Sequence, residues 1–148
     1  MPHLKRLALS LLIVLVTSLA HADEIDSTLL VGTLLSQHFP DRWKNQSNPG
    51  IGIEVDHGRD WKFSVGTYLN SNNRTTDYAV VAWTPLHVSS WDLGVVAGPA
   101  SGYPSPVIAS FMAAYRSGRF GINVLADPPV QGASAVIGLQ LTWAMNGY

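Results

Sequence analysis

The sequence predicts an all-β protein: an eight-stranded antiparallel up-and-down transmembrane β-barrel that follows a signal peptide. Three observations predict it. Short runs in which apolar residues alternate with small or polar ones recur between turn-forming clusters, the period-2 pattern of strands whose two faces meet different surroundings. Tight and long connections alternate between those runs, the asymmetry of outer-membrane barrels with short periplasmic turns and longer outer loops. Charged residues make up 13% of the 148 residues against 47% hydrophobic, too few to solvate a water-facing sheet exterior.

The leader comes first. His3, Lys5 and Arg6 give a basic start, an apolar run follows from Leu7 to Leu19, and Ala20-His21-Ala22 has the small-x-small form of a cleavage site. That run is shorter than the roughly 20 residues a helix needs to span a bilayer. Residues 1–22 are therefore expected to be a signal peptide and residues 23–148 a single barrel domain, exported to the bacterial outer membrane. The chain has no cysteine, which excludes a thiolate metal centre, a disulfide scaffold and lipoprotein acylation. A formal net charge of −1 argues against nucleic acid as a partner, because phosphate neutralisation needs a basic surface.

The eight predicted strands run from Thr28 to Phe39, Gly50 to His57, Trp61 to Asn70, Thr76 to Pro85, Trp91 to Ala100, Val107 to Tyr115, Phe120 to Leu125 and Ala135 to Met145. Gly58-Arg59-Asp60, Leu86 to Ser90 and Arg116 to Arg119 are the tight connections; the segments beginning at Pro40, Ser71, Ser101 and Ala126 are longer or proline-rich. In the third strand Trp61, Phe63, Val65, Thr67 and Leu69 share a face opposite Lys62, Ser64, Gly66, Tyr68 and Asn70. The fifth, seventh and eighth strands repeat the division. Leu93, Val95, Ile122, Val124, Ile137, Leu139, Leu141 and Trp143 fall on one face, and Asp92, Gly94, Gly121, Asn123, Gly138, Gln140 and Thr142 on the other. Turning the apolar face inward would line the exterior with glycine, so the apolar face is expected to meet lipid, with Trp61, Trp91, Tyr115 and Phe120 as an aromatic girdle near the tight-turn rim.

Inside, Lys62, Asp92, Arg116 and Gln140 are expected to form a polar plug below an outer half lined by Leu34, Tyr68, Val96, Ile108 and Val136. The inward glycines either leave room for an acyl chain or relieve crowding in a narrow barrel. With an even strand number and both ends on one rim, the first and third strands run outward. His38 and Asn70-Ser71 then meet at the outer rim, whereas His57 and His87 fall at the opposite one, so no three-histidine metal site and no cofactor are expected. Gly50-Ile51-Gly52 lacks the strand-to-helix setting of a nucleotide fingerprint and reads as strand.

The stretch from Asn48 through Pro106, with Trp61 to Leu69, Asn70-Ser71, Trp83-Thr84-Pro85-Leu86 and Leu93-Gly94-Val95-Val96-Ala97-Gly98, resembles PagP, the outer-membrane lipid A palmitoyltransferase family, over about Leu34 to Trp143. The resemblance implies acyl transfer from a phospholipid to lipid A, with membrane lipid as the partner. It also implies a catalytic set of His38, Ser71 and, where the family has aspartate, Asn70. Asp41 and Asp77 are the nearby carboxylates that could replace the missing one, and Asn70→Asp is expected to hold or raise activity. The alternative is a non-enzymatic structural or lipid-binding barrel. A His38 to Ser71 approach within hydrogen-bond reach favours the enzyme.

Overall fold

The computed structural model describes residues 25–40, 45–129 and 134–146; the predicted signal peptide and Asp41 lie outside them. All eight predicted strands form: β1 (Ile25–Phe39), β2 (Ser47–His57), β3 (Trp61–Leu69), β4 (Thr75–Val88), β5 (Trp91–Pro99), β6 (Val107–Ser117), β7 (Phe120–Asp127) and β8 (Ala135–Ala144). Each pairs antiparallel with its sequence neighbour, and β1 pairs with β8 to close the barrel. β4 and β6 run further than the sequence suggests, so two of the tight connections shrink to Ser89-Ser90 and Gly118-Arg119. Gly58 (φ 58°) and Gly118 (φ 55°) take the left-handed backbone that such reversals need. These turns, the start of β1 and the end of β8 share one rim, and the longer connections share the other.

The side-chain faces follow the predicted alternation. Ile51, Ile53, Val81, Val95, Phe111, Ile137 and Leu141 are exposed on the outside, while Glu54, Asp56, Lys62, Thr76, Asp92, Asn123 and Thr142 are buried inside. The barrel is thus inverted relative to a water-soluble one. Aromatic pairs stud its outside near the short-turn rim: Trp61 with Trp83 (centroids 6.3 Å apart), Trp91 with Tyr115 (5.1 Å) and Phe120 with Trp143 (4.8 Å). A small apolar core of Ala82, Val96, Met112 and Ala114, with Val80 and Leu125 against it, lines the lumen on the β4 to β7 side.

Two irregularities re-aim side chains. In β1 the register jumps between Thr33 and Leu35, with Thr33 opposite Gln140 and Leu35 opposite Leu139. The extra residue is Leu34, which is exposed rather than lining the lumen as the alternation suggested. Below the bulge Leu29 and Val31 face inward; above it the parity reverses, and Ser36 and His38 face inward opposite Gly138 and Val136. In β4 the jump lies between Trp83 and Leu86, around Pro85, a residue with no N–H to give to a ladder. His87 is thereby set opposite Asp92. A Cβ on Gly94 would strike the Trp83 carbonyl oxygen, so the second bulge requires glycine across from it.

The short-turn half of the lumen is crossed by one polar network. Arg116 donates to Glu54 and, at 2.8 Å, to Asn123 Oδ1; Asn123 Nδ2 donates to Glu54 (3.1 Å) and Gln140 (3.3 Å), and Gln140 donates to Thr33 (3.4 Å). Lys62 Nζ stands 3.7 Å from Asp56 and 3.5 Å from Asp92, whose other oxygen takes Arg59 Nε at 2.7 Å. His87 bridges Asp92 and Asp60, 2.9 Å from each. Ser27 donates to Asp56 at 3.4 Å. Lys62, Asp92, Arg116 and Gln140 were expected here; Glu54 and Asn123 join them. Every strand contributes a member, so the network ties the wall across its diameter as well as filling the lumen.

The glycines resolve mostly toward crowding. Cβ atoms on Gly52 and Gly66 would lie 2.5 and 2.7 Å from the Tyr78 hydroxyl, so that ring already occupies the space they leave. Gly121 abuts the Thr142 and Arg116 side chains. Only at Gly138, among the inward positions named here, would a methyl meet ordinary contacts, with Leu125 Cβ at 3.6 Å.

Candidate functional site at the long-loop rim

β1 and β3 run toward the same rim, so the chain reversals after them bring His38, Asn70 and Ser71 to one end of the barrel, as the strand count required. Ser71 Oγ lies 3.2 Å from Ser36 Oγ. Ser36 gives its own proton to Asn48 Oδ1 at 2.6 Å, which leaves Ser71 as the donor to Ser36. Asn48 in turn donates to the Leu69 carbonyl at 2.9 Å. The arrangement fixes Ser71 against β1 while leaving its oxygen lone pairs without a donor in this chain of bonds. His38 is the next inward residue of β1 beyond Ser36, about 7 Å along the strand, and is buried. His57 and His87 lie at the short-turn rim.

Asn70 is fully buried and works at both ends of its amide. Its oxygen accepts the Asn72 N–H (2.9 Å) and the Arg74 N–H (3.1 Å), which closes the reversal that carries Ser71. Its nitrogen donates to Thr76 Oγ1 (3.0 Å) and the Gly102 carbonyl (3.3 Å), tying that reversal to the β5–β6 connection. A carboxylate would keep the two accepted bonds and turn an oxygen toward the Gly102 carbonyl. We therefore expect Asn70→Asp to lose about 1 to 3 kcal/mol of stability, visible as a lower urea midpoint in detergent micelles, with Asn70→Ala losing more. An unchanged midpoint for the aspartate variant would show that the donated bonds contribute nothing.

The two candidate replacement carboxylates fare differently. Asp77 is exposed on β4, in the face opposite to the inward Thr76 and Tyr78, and its backbone N–H donates to Ser101 Oγ; it faces away from the lumen. The site contains instead a carboxylate that the sequence reading placed in a loop. Asp127 ends β7 opposite Val136 of β8, and Val136 stands opposite His38 on its other side. Asp127 takes a hydrogen bond from Ser110 and interacts electrostatically with His38. Nearby, the Tyr68 and Tyr103 hydroxyls are 2.7 Å apart. Burial pushes the Tyr103 phenol above its ordinary range, so its hydroxyl stays protonated, and within the pair one hydroxyl donates to the other.

Two ladders stop short beside this rim. The last β1–β2 strand pair is Leu35 with Ser47, although β1 continues along β8 to Phe39. The β6–β7 ladder begins at Phe111 with Ala126, although β6 begins at Val107. The wall around His38, Asp127 and Ser110 is therefore stitched more loosely than the wall around the polar network. No protein-family model matches the chain, and no curated protein matches its sequence.

Proposed function

We propose that this barrel is an integral outer-membrane protein whose long-loop rim handles membrane lipid, in the manner of the PagP family, moving an acyl chain from a phospholipid to lipid A. The observation that carries the membrane part is the inversion of polarity: apolar side chains on the outside, an ionic network inside, and stacked aromatics near one rim. Strands of 8 to 15 residues match the roughly 9 to 11 that a tilted strand needs to cross a bilayer. The lipid part rests on His38 and Ser71 sharing one rim beside the shortened ladders, where a lipid chain would enter.

In that chemistry Ser71, or an acceptor hydroxyl held beside it, attacks the carbonyl carbon of a phospholipid ester and passes its proton to His38. Rim donors stabilise the oxyanion. When the ester C–O bond breaks, the leaving glycerol oxygen takes the proton from His38. If Ser71 carries the acyl group, a lipid A hydroxyl then attacks it, and its proton returns through His38 to Ser71. Asn70 serves by shaping the reversal under Ser71.

A second reading, a non-enzymatic structural or lipid-binding barrel, draws on Tyr78 filling the space beside Gly52 and Gly66 and on the plugged lumen. One set of measurements separates them. His38→Ala and Ser71→Ala should each lower transfer of a labelled acyl chain between phospholipid and lipid A by about 10²-fold or more with unchanged folding yield. Absence of transfer by the unaltered chain would leave the non-enzymatic reading. In lipid vesicles Leu141→Arg should cost about 2 to 4 kcal/mol, whereas the inward Ser64→Thr should cost under about 1 kcal/mol. Equal costs would refute the membrane placement.

A further inference from the structure

We propose that Asp127 is the positioning residue for His38: its carboxylate, one row across β8 from the imidazole, holds the ring in a single tautomer and leaves the other ring nitrogen as the base. This deepens the lipid-transfer reading and rests on it for its kinetic consequence alone.

Position comes first. His38, Val136 and Asp127 form one transverse row through β1, β8 and β7. The neighbouring row, Gln37, Ile137 and Ala126, carries the outward-facing Ile137, which is exposed. Two strand spacings separate the His38 and Asp127 backbones by roughly 10 Å. Side chains pointing into an eight-stranded barrel converge, and the residue between these two in the row is the short Val136. The bulge at Leu34 is what brings His38 into this row; without the parity change the inward residue would be Gln37.

The carboxylate is also prepared. Ser110 on β6 donates to it from the side away from β8, while its Oδ1 is buried with no hydrogen-bond partner among the described residues. A buried carboxylate oxygen without a donor is costly, and a ring N–H is a donor of the right kind on the side where the row places it. The groups gathered on this face are Ser36 of β1, Val136 of β8, Asp127 of β7, Ser110 of β6 and the Tyr68–Tyr103 hydroxyl pair; Asp127 brings the carboxyl group among them.

The chemistry then needs no carboxylate at Asn70. A general base works from the neutral imidazole in the correct tautomer, and a neighbouring carboxylate sets that tautomer and stabilises the imidazolium formed during attack. The proton leaving Ser71 or the acceptor hydroxyl stays on His38 until the leaving oxygen takes it.

The test uses the whole chain refolded in detergent micelles with ¹⁵N-labelled histidine, His38 being assigned by loss of its signals in His38→Ala. The ring nitrogens of His38 should report one neutral tautomer. Asp127→Asn should give a mixture of tautomers, Asp127→Glu should restore the single form, and Asp77→Asn should leave it unchanged. If Asp127→Asn fails to fold, Ser110→Ala tests the same point by loosening the carboxylate. Acyl transfer should fall about 10²- to 10⁴-fold in Asp127→Asn with KM changed by less than about threefold. A tautomer shift in a chain with no transferase activity upholds the positioning and removes the enzyme reading. Identical His38 ring signals in Asp127→Asn and the unaltered chain overturn the inference.

Discussion

Arg116→Met should destabilise the barrel by about 3 to 5 kcal/mol, because it strands a buried carboxylate. Glu54 is 2% exposed and has two charge-stabilising contacts, the Arg116 guanidinium and Asn123 Nδ2. Removing the guanidinium leaves the amide alone to offset an ionised group in the lumen. It also frees Asn123 Oδ1, which takes an Arg116 N–H at 2.8 Å. Glu54→Leu combined with Arg116→Met removes both charges, and most of the loss should be recovered, since replacing a buried pair by apolar groups is often neutral or better. Urea titration in lipid vesicles, followed through the fluorescence of the five tryptophans, measures both variants. A single variant costing under about 1 kcal/mol would mean that water reaches Glu54 and the network is not a seal.

A wall held only by its ladders would unzip where a ladder is short, as at the β1–β2 and β6–β7 ends near the long-loop rim. The ionic network lies in the other half and joins residues of all eight strands, so it holds the closed barrel together there. Under the lipid-handling proposal, the rim with the shorter ladders is where a lipid chain would enter.

Much of this was legible in the sequence. Period 2 is strong in a strand such as Trp61–Leu69, where every second residue except Thr67 is apolar, and it predicted which side chains face outward and which line the lumen. Loop asymmetry predicted that His38 and Ser71 share a rim. What stayed hidden has physical reasons. From Leu29 to Leu35 the chain is nearly continuously apolar, so an inserted residue leaves no mark on the pattern, and the parity change at Leu34 is invisible. Glu54 sits between Ile53 and Val55 and shows no partner until the barrel closes and sets β2 facing β6. Asp127 precedes two prolines and looks like loop; only the β7–β8 register puts it in the row of His38. Asn70 reads equally well as a weakened catalytic group or a turn former, and its four amide bonds exist only once the β3–β4 and β5–β6 connections meet.

Inserting an alanine between Leu35 and Ser36 should turn His38 out of the lumen and, under the lipid-handling proposal, abolish transfer, whereas deleting Leu34 should do neither. The bulge exists because β1 has one residue more than β8 between the Thr33–Gln140 and Leu35–Leu139 pairs. Below it, Leu29 and Val31 are fully buried and hold their parity. With Leu34 gone, Thr33 and Leu35 become consecutive opposite the consecutive Gln140 and Leu139, so the ladder closes without a bulge and Ser36 and His38 stay inward opposite Gly138 and Val136. An alanine added above the bulge takes the inward place opposite Gly138 and moves every later residue one rung, so Gln37 faces inward while Ser36 and His38 face outward. The Ser36–Ser71 hydrogen bond and the Asp127 row are then lost together, and a polar ring enters hydrocarbon at a cost of about 1 to 3 kcal/mol. The measurement is paramagnetic broadening of the His38 ring signals by a doxyl-labelled fatty acid in the micelle: weak in the unaltered chain and in the Leu34 deletion, strong in the insertion. If the insertion variant keeps a shielded His38, some other feature of β1 aims it, and the parity argument for the site fails at its first step.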